Sequence, residues 1–132
     1  MKVSVERRLP EVLIADDESS MRELIRTTIE SDRCAVLEAG DGDQAWALIK
    51  LHRPPLVVLD VQMPGRSGLE ILKSIRSDPT LVATHVIMLS SKALASDVAA
   101  GLAAGADFYL TKPFSPLELL NRVERTLGRL PT

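Results

Sequence analysis

A single cysteine, Cys34, excludes an intramolecular disulfide and any thiolate metal cluster, so a reducing cytoplasm is the expected compartment. No sign of charge dominates either. Sixteen Lys and Arg stand against eighteen Asp and Glu, a net charge of −2, so no basic excess is available to neutralise a nucleic-acid backbone, and direct nucleic-acid binding is not expected. Long apolar runs are also missing. The uncharged stretches Leu56 to Leu59 and Val86 to Ser91 are short, and Val98 to Ala106 is built of small residues. Nothing therefore approaches a membrane span, and no secretory segment is expected after Met1. What remains is 132 residues, 45% of them hydrophobic, enough to bury the core of one domain.

Strand and helix patterns alternate along that domain. Lys2 to Arg8 interleaves charged and apolar residues with no clear partner, so residues 1–9 read as a tail and residues 10–128 as the domain. Residues 129–132 read as a second tail or the start of a linker. Val12 to Ala15 is an apolar run suited to a buried strand, followed by a helical stripe at Met21, Leu24, Ile25 and Ile29. Ser20 and Glu23 predict a capping box at the start of that helix. Cys34 to Leu37 predicts the second strand, and Asp41 opens a helix with Ala45, Leu48 and Ile49 inside and Trp46 at its margin.

Pro54-Pro55 ends that helix and leads into Leu56 to Asp60, apolar without alternation, as expected of a strand covered on both faces. Ser67 and Glu70 predict a capping box for a third helix with Ile71, Leu72 and Ile75 inward. Val86 to Leu89 is the fourth strand, Lys92 to Ala104 an Ala-rich helix ended by Gly105, and Phe108 to Leu110 the fifth strand. Ser115, Pro116 and Glu118 predict the start of a last helix that ends near Gly128. Five strand-then-helix units without hairpin signals specify an α/β fold, a three-layer open parallel sheet with helices on both faces.

In such sheets, sites form outside the carboxyl ends of the strands. The residues there are Asp16 and Asp17 after strand one, Asp60 at the end of strand three, Ser90 after strand four and Lys112 just beyond strand five. Three like-charged carboxylates on one rim repel one another, and either a divalent cation or proton uptake relieves this. Mg2+ suits a rim with one or two carboxylates, retained waters and a phosphate oxygen, and Mn2+ can substitute. A carboxylate in that setting can attack phosphorus in line while Lys112 and Ser90 hold the equatorial oxygens, giving an aspartyl phosphate. His52 and His85 belong to no ligand cluster, and Cys34 is expected to be a small buried hydrophobe.

Asp16-Asp17, Asp60 within Leu59-Asp60-Val61-Gln62-Met63-Pro64-Gly65, Ser90, and Lys112-Pro113-Phe114 together resemble the receiver domain of two-component response regulators, over roughly residues 11–128. The resemblance implies a flavodoxin-like five-stranded sheet in the order 2-1-3-4-5 with five helices. It implies that Asp60 accepts a phosphoryl group from a histidine kinase or phosphotransfer protein. It further implies that Asp17, Asp60 and the backbone carbonyl of Gln62 ligate Mg2+, with Asp16 acting mainly through water. Lys112 and Ser90 would contact the phosphoryl group, Tyr109 would change rotamer, and the Lys112-Pro113 peptide would be cis.

The signal would leave through the face of helix four, strand five and helix five, toward a downstream protein or output domain. Such a chain is a signalling phosphoacceptor that assists its own phosphorylation and dephosphorylation rather than an enzyme acting on a separate substrate. Gln62 and Lys92 lie where a hydrolytic water would approach and leave the phosphoryl lifetime open. Two other readings are an aspartate-nucleophile phosphatase of the haloacid dehalogenase type, whose motif order differs, and a receiver that docks without phosphorylation. A flavin-binding module would need a phosphate loop after strand one, where two carboxylates stand instead.

Overall fold

The computed structural model describes residues 9–128. Five strands, β1 (Glu11–Ala15), β2 (Ala35–Ala39), β3 (Leu56–Asp60), β4 (His85–Ser90) and β5 (Phe108–Thr111), alternate with α1 (Ser19–Ile29), α2 (Gly42–His52), α3 (Gly68–Ser77), α4 (Ala95–Ala103) and α5 (Pro116–Gly128). All strand pairs are parallel, and their order is β2-β1-β3-β4-β5, the flavodoxin-like arrangement. β3, at the centre, is buried along its whole length, which is why its sequence shows no alternation.

Alternate strand residues feed two separate cores. Val12, Ile14, Leu56, Val58, Ile87 and Leu89 pack with Ile25 and Ile29 of α1 and Leu119 and Val123 of α5. Leu13, Val57, Leu59, Val86 and Met88 pack on the other face with Ala45 and Ile49 of α2 and Ile71, Leu72 and Ile75 of α3. The period-two alternation of strand side chains produces this division, with α1 and α5 covering one face and α2 and α3 the other through their apolar stripes. No helix among the described residues is long and apolar enough to cross a membrane. Of the two tails read from the sequence, residues 1–8 and 129–132 lie outside the described residues.

The local signals held unevenly. Asp41 caps α2 by accepting from the Gln44 amide at 2.7 Å, and Ser67 and Glu70 form the complete reciprocal box at α3. Ser115 accepts from the Glu118 amide at 3.3 Å, which makes one half of the expected box. The Ser20–Glu23 box does not form, because α1 begins at Ser19 with Glu18 in the cap position and no side-chain cap. Asp16 turns the chain there instead, its Oδ1 accepting from the Glu18 amide at 2.9 Å. α4 likewise starts at Ala95 rather than Lys92, since Ser90 Oγ accepts from the Lys92 amide at 2.9 Å and holds that residue in the loop. Leu24, placed on the inner stripe of α1, is exposed. Arg53 in the left-handed conformation, with φ of 48°, closes α2 one residue before Pro54. A short 3-10 turn at Pro79–Leu81, unforeseen in the sequence, begins where Asp78 accepts from Thr80.

Candidate functional site

Asp16 and Asp17 leave β1, Asp60 ends β3 and Ser90 ends β4, so their approach follows from the parallel register alone. Ser90 pairs with Thr111, which places Lys112 directly beyond it, and the Lys112 amide donates to the Ser90 carbonyl at 2.8 Å. The Lys112–Pro113 peptide is cis. Asp16, Asp60 and Ser90 share one local device, in which the side-chain oxygen accepts from the amide two residues ahead. The donors are Glu18 at 2.9 Å, Gln62 at 3.1 Å and Lys92 at 2.9 Å. Each bond orients its side chain at a strand end before any ligand arrives.

The three carboxylates are close enough for one oxygen from each to lie within 4.8 Å of the others. Asp16 is 1% exposed and Asp60 7% exposed, while Asp17 opens to solvent. The Lys112 ammonium bridges the two buried ones, donating to Asp16 Oδ2 at 2.8 Å and to Asp60 Oδ2 at 3.0 Å. Burial pushes the Asp60 carboxyl above the usual carboxylate range, and the Asp16 charge adds to this, while bonds from Lys112 and Gln62 pull the other way. Burial works against the Lys112 ammonium, but its bonds to Asp16 and Asp60 outweigh that and hold its pKa above the ordinary lysine value.

One ammonium against three carboxylates leaves an excess of two negative charges when all are ionised. The donors are all oxygen, two fixed and one open to water, and this set fits a hard divalent cation that keeps part of its hydration shell. Asp60 also sits where a neighbouring backbone is close. A Cβ at Gly68 would come within 2.1 Å of the Asp60 carbonyl oxygen, so α3 can start so near Asp60 only because residue 68 has no side chain.

Gln62 is exposed beside Asp60 and meets it through its amide. Ser90 is completely buried, with its hydroxyl engaged by the Lys92 amide. Tyr109 is half-buried, with its hydroxyl donating to the Lys92 carbonyl at 3.0 Å and its ring lying against Gly101. Ser90 and Tyr109 are thus joined through the two backbone groups of Lys92. Two features were not read from the sequence, the bridge made by Lys112 and the close approach of Gly68. The first needs the register of β4 and β5, while Gly68, directly after a cap, looks locally like an ordinary helix start.

A family model described as the response regulator receiver domain matches residues 12–124. The response regulator GtcR of Aneurinibacillus migulanus is 39% identical over 118 residues, covering 89% of this chain and 48% of its own length. The phosphate regulon transcriptional regulatory protein PhoB of Pseudomonas aeruginosa is 41% identical over 118 residues, covering 89% and 52%. The solved receiver domain of Francisella response regulator 1452 superposes with a TM-score of 0.84 at 37% identity, covering 91% of this chain and 98% of that one. The chain spans about half the length of the curated relatives it matches.

Proposed function

This chain belongs to the response regulator receiver domain family, and from that premise we propose that Asp60 is a phosphoacceptor supplied by a histidine kinase or phosphotransfer protein. The observation that carries the reading is the Lys112 ammonium shared between Asp16 and Asp60 inside a group of three carboxylates. That arrangement holds the acceptor in place and has a cation ready for oxygens bound to phosphorus. In the transfer, an Asp60 carboxylate oxygen bonds to phosphorus as the donor's P–N bond breaks, and the electron pair leaves with the imidazole nitrogen. Lys112 moves with the charge, from the carboxylate it now holds to a phosphoryl oxygen. The group on Asp60 lies between Gln62 and Lys92, whose side chains then bear on how long it survives.

Asp17, Asp60 and the Gln62 carbonyl would hold Mg2+ or Mn2+, with Asp16 acting through water. When bound, the ion supplies positive charge to the acceptor carboxylate and the incoming phosphoryl oxygens. For signalling, the Ser90 hydroxyl turns to donate to a phosphoryl oxygen, which draws its oxygen away from the Lys92 amide from which it now accepts. This frees the loop whose carbonyl holds Tyr109 and biases α4, β5 and α5 toward a second arrangement. A charge-assisted hydrogen bond of about 1.5–3 kcal/mol is enough to shift that equilibrium roughly ten- to a hundredfold. The downstream reader is a separate protein or an output domain.

Intact mass after exposure to acetyl phosphate with Mg2+ tests the assignment. Wild type gains one phosphoryl group and Asp60→Asn gains none. A phosphorylated Asp60→Asn variant, or a wild type that stays unmodified with and without Mg2+, overturns it.

A further inference from the structure

Asp17 is the one carboxylate of the pocket that is exposed, and among the described residues no hydrogen bond or ion pair holds its side chain. Its position therefore depends on the backbone that presents it. The peptide group joining Asp16 to Asp17 is held from outside the pocket. Arg22, in the first turn of α1, donates from Nη1 to its carbonyl, that of Asp16, at 2.7 Å, and the peptide before it is held as well, the Asp16 amide donating to the Ala39 carbonyl at 3.1 Å. The same guanidinium is anchored from its other edge, with Nε donating to Glu38 Oε1 on β2 at 3.1 Å. Arg26 holds the second oxygen of Glu38. The Arg22 side chain is 20% exposed, and Gly40 leaves room for it, since a Cβ there would stand 3.3 Å from Nη1.

We propose that Arg22 is a positioning residue for the cation pocket, setting its affinity for a divalent ion by fixing the Asp16–Asp17 peptide from behind. The inference rests on the cation-assisted reading of the site given above. A planar guanidinium with donors on two edges can satisfy a backbone carbonyl and a carboxylate together, which a lysine ammonium does less well. Partners of this indirect kind, which touch a ligating segment but not the ion, typically account for a ten- to a hundredfold effect on metal affinity.

Mn2+ titration of the apo protein, followed by calorimetry or electron paramagnetic resonance, reads the effect without any phosphorylation. Arg22→Met should weaken Mn2+ binding about tenfold, and Arg22→Lys should recover part of the loss. In parallel, the rate of acetyl phosphate labelling in Arg22→Met should need more Mg2+ to saturate yet reach nearly the wild-type plateau. A purely structural role would lower the melting temperature and leave both metal dependences where they were.

Wild-type Mn2+ affinity in Arg22→Met overturns the inference and leaves the proposed function standing. If Arg22→Met does not fold, Arg22→Lys decides by the same titration, and wild-type affinity there overturns the inference equally. A wild-type chain that binds no Mn2+ overturns the inference and the cation-assisted reading it rests on.

Discussion

α3 and α4 follow the two adjacent strands that meet at the pocket, β3 and β4, yet they are held to the sheet very differently. α3 buries Ile71, Leu72 and Ile75 completely and has a full capping box. Its Arg76 donates to the carbonyls of Thr84 and Gly105 and pairs with Asp107. α4 has no side-chain cap at Leu94, and its only fully buried residue is Gly101. Leu94 and Leu102 face solvent at 71% and 47% exposure, and a solvent-open pocket of about 100 Å3, lined by Val61, Met88, Lys92, Asp97, Gly101 and Tyr109, borders the helix.

The difference sets the two sides of Asp60 apart. The α3 side is a fixed wall that keeps Asp60 in register. The α4 side makes few contacts that must be broken for it to move, which is the physical content of a low-stability element. A switch of the proposed kind, driven by a hydrogen bond of about 1.5–3 kcal/mol, would be read through the second kind of helix and not through the first.

The largest test of that contrast is in the packing. Ile71→Ala should cost about 2–5 kcal/mol in urea unfolding, as for other fully buried aliphatic truncations, while Leu102→Ala on the outer face of α4 should stay within about 0.5 kcal/mol. Comparable losses at the two positions would break the distinction.

A smaller effect separates the two helical glycines. Gly68→Ala drives a methyl into the Asp60 carbonyl, an obstruction of backbone, and should cost about 1–3 kcal/mol or more together with slower phosphorylation. Gly101→Ala meets only the Tyr109 ring, its Cβ falling 2.8 Å from Cδ2. Because the ring can turn away and Ala favours helix over Gly by about 1 kcal/mol, stability should be nearly unchanged. The tyrosine ring resonances should shift, and an unmoved Tyr109 would show that the ring is not the part that gives.

The smallest test concerns the caps. Ser67→Ala should remove about 1 kcal/mol, and Leu94→Asp should add up to a similar amount by supplying the cap that α4 lacks. The Ser67 amide and hydroxyl hold the Glu70 carboxyl below its usual range. Its contribution is therefore present above the ordinary glutamate pKa and is lost as pH falls through the depressed value. In Ser67→Ala, which keeps the amide and removes only the hydroxyl, carboxyl NMR titration should show Glu70 moving part of the way back toward the ordinary value, and an unmoved titration would exclude the hydroxyl as a cause.

The residue order alone carried most of the architecture. The central strands are legible because burial on both faces demands continuous apolar runs, as in Leu56 to Leu59. The pocket is legible because α/β topology brings strand ends together, so Asp16, Asp17, Asp60, Ser90 and Lys112 could be named from position. The starts of α1 and α4 were not legible, for one shared reason. Asp16 and Ser90 spend a side-chain acceptor on the amide two residues ahead, so the helix begins where that turn lets it rather than where a cap motif stands.

Only the tertiary structure decided who partners whom. That Lys112 bridges Asp16 and Asp60, that Tyr109 rests on the Lys92 carbonyl and that Arg22 reaches back to the Asp16 carbonyl all join residues from different elements. Hydrophobic period and turn chemistry are local quantities, readable within a few residues along the chain. Hydrogen bonds across strands depend on register and on the space between packed faces, and these exist only once the sheet has formed.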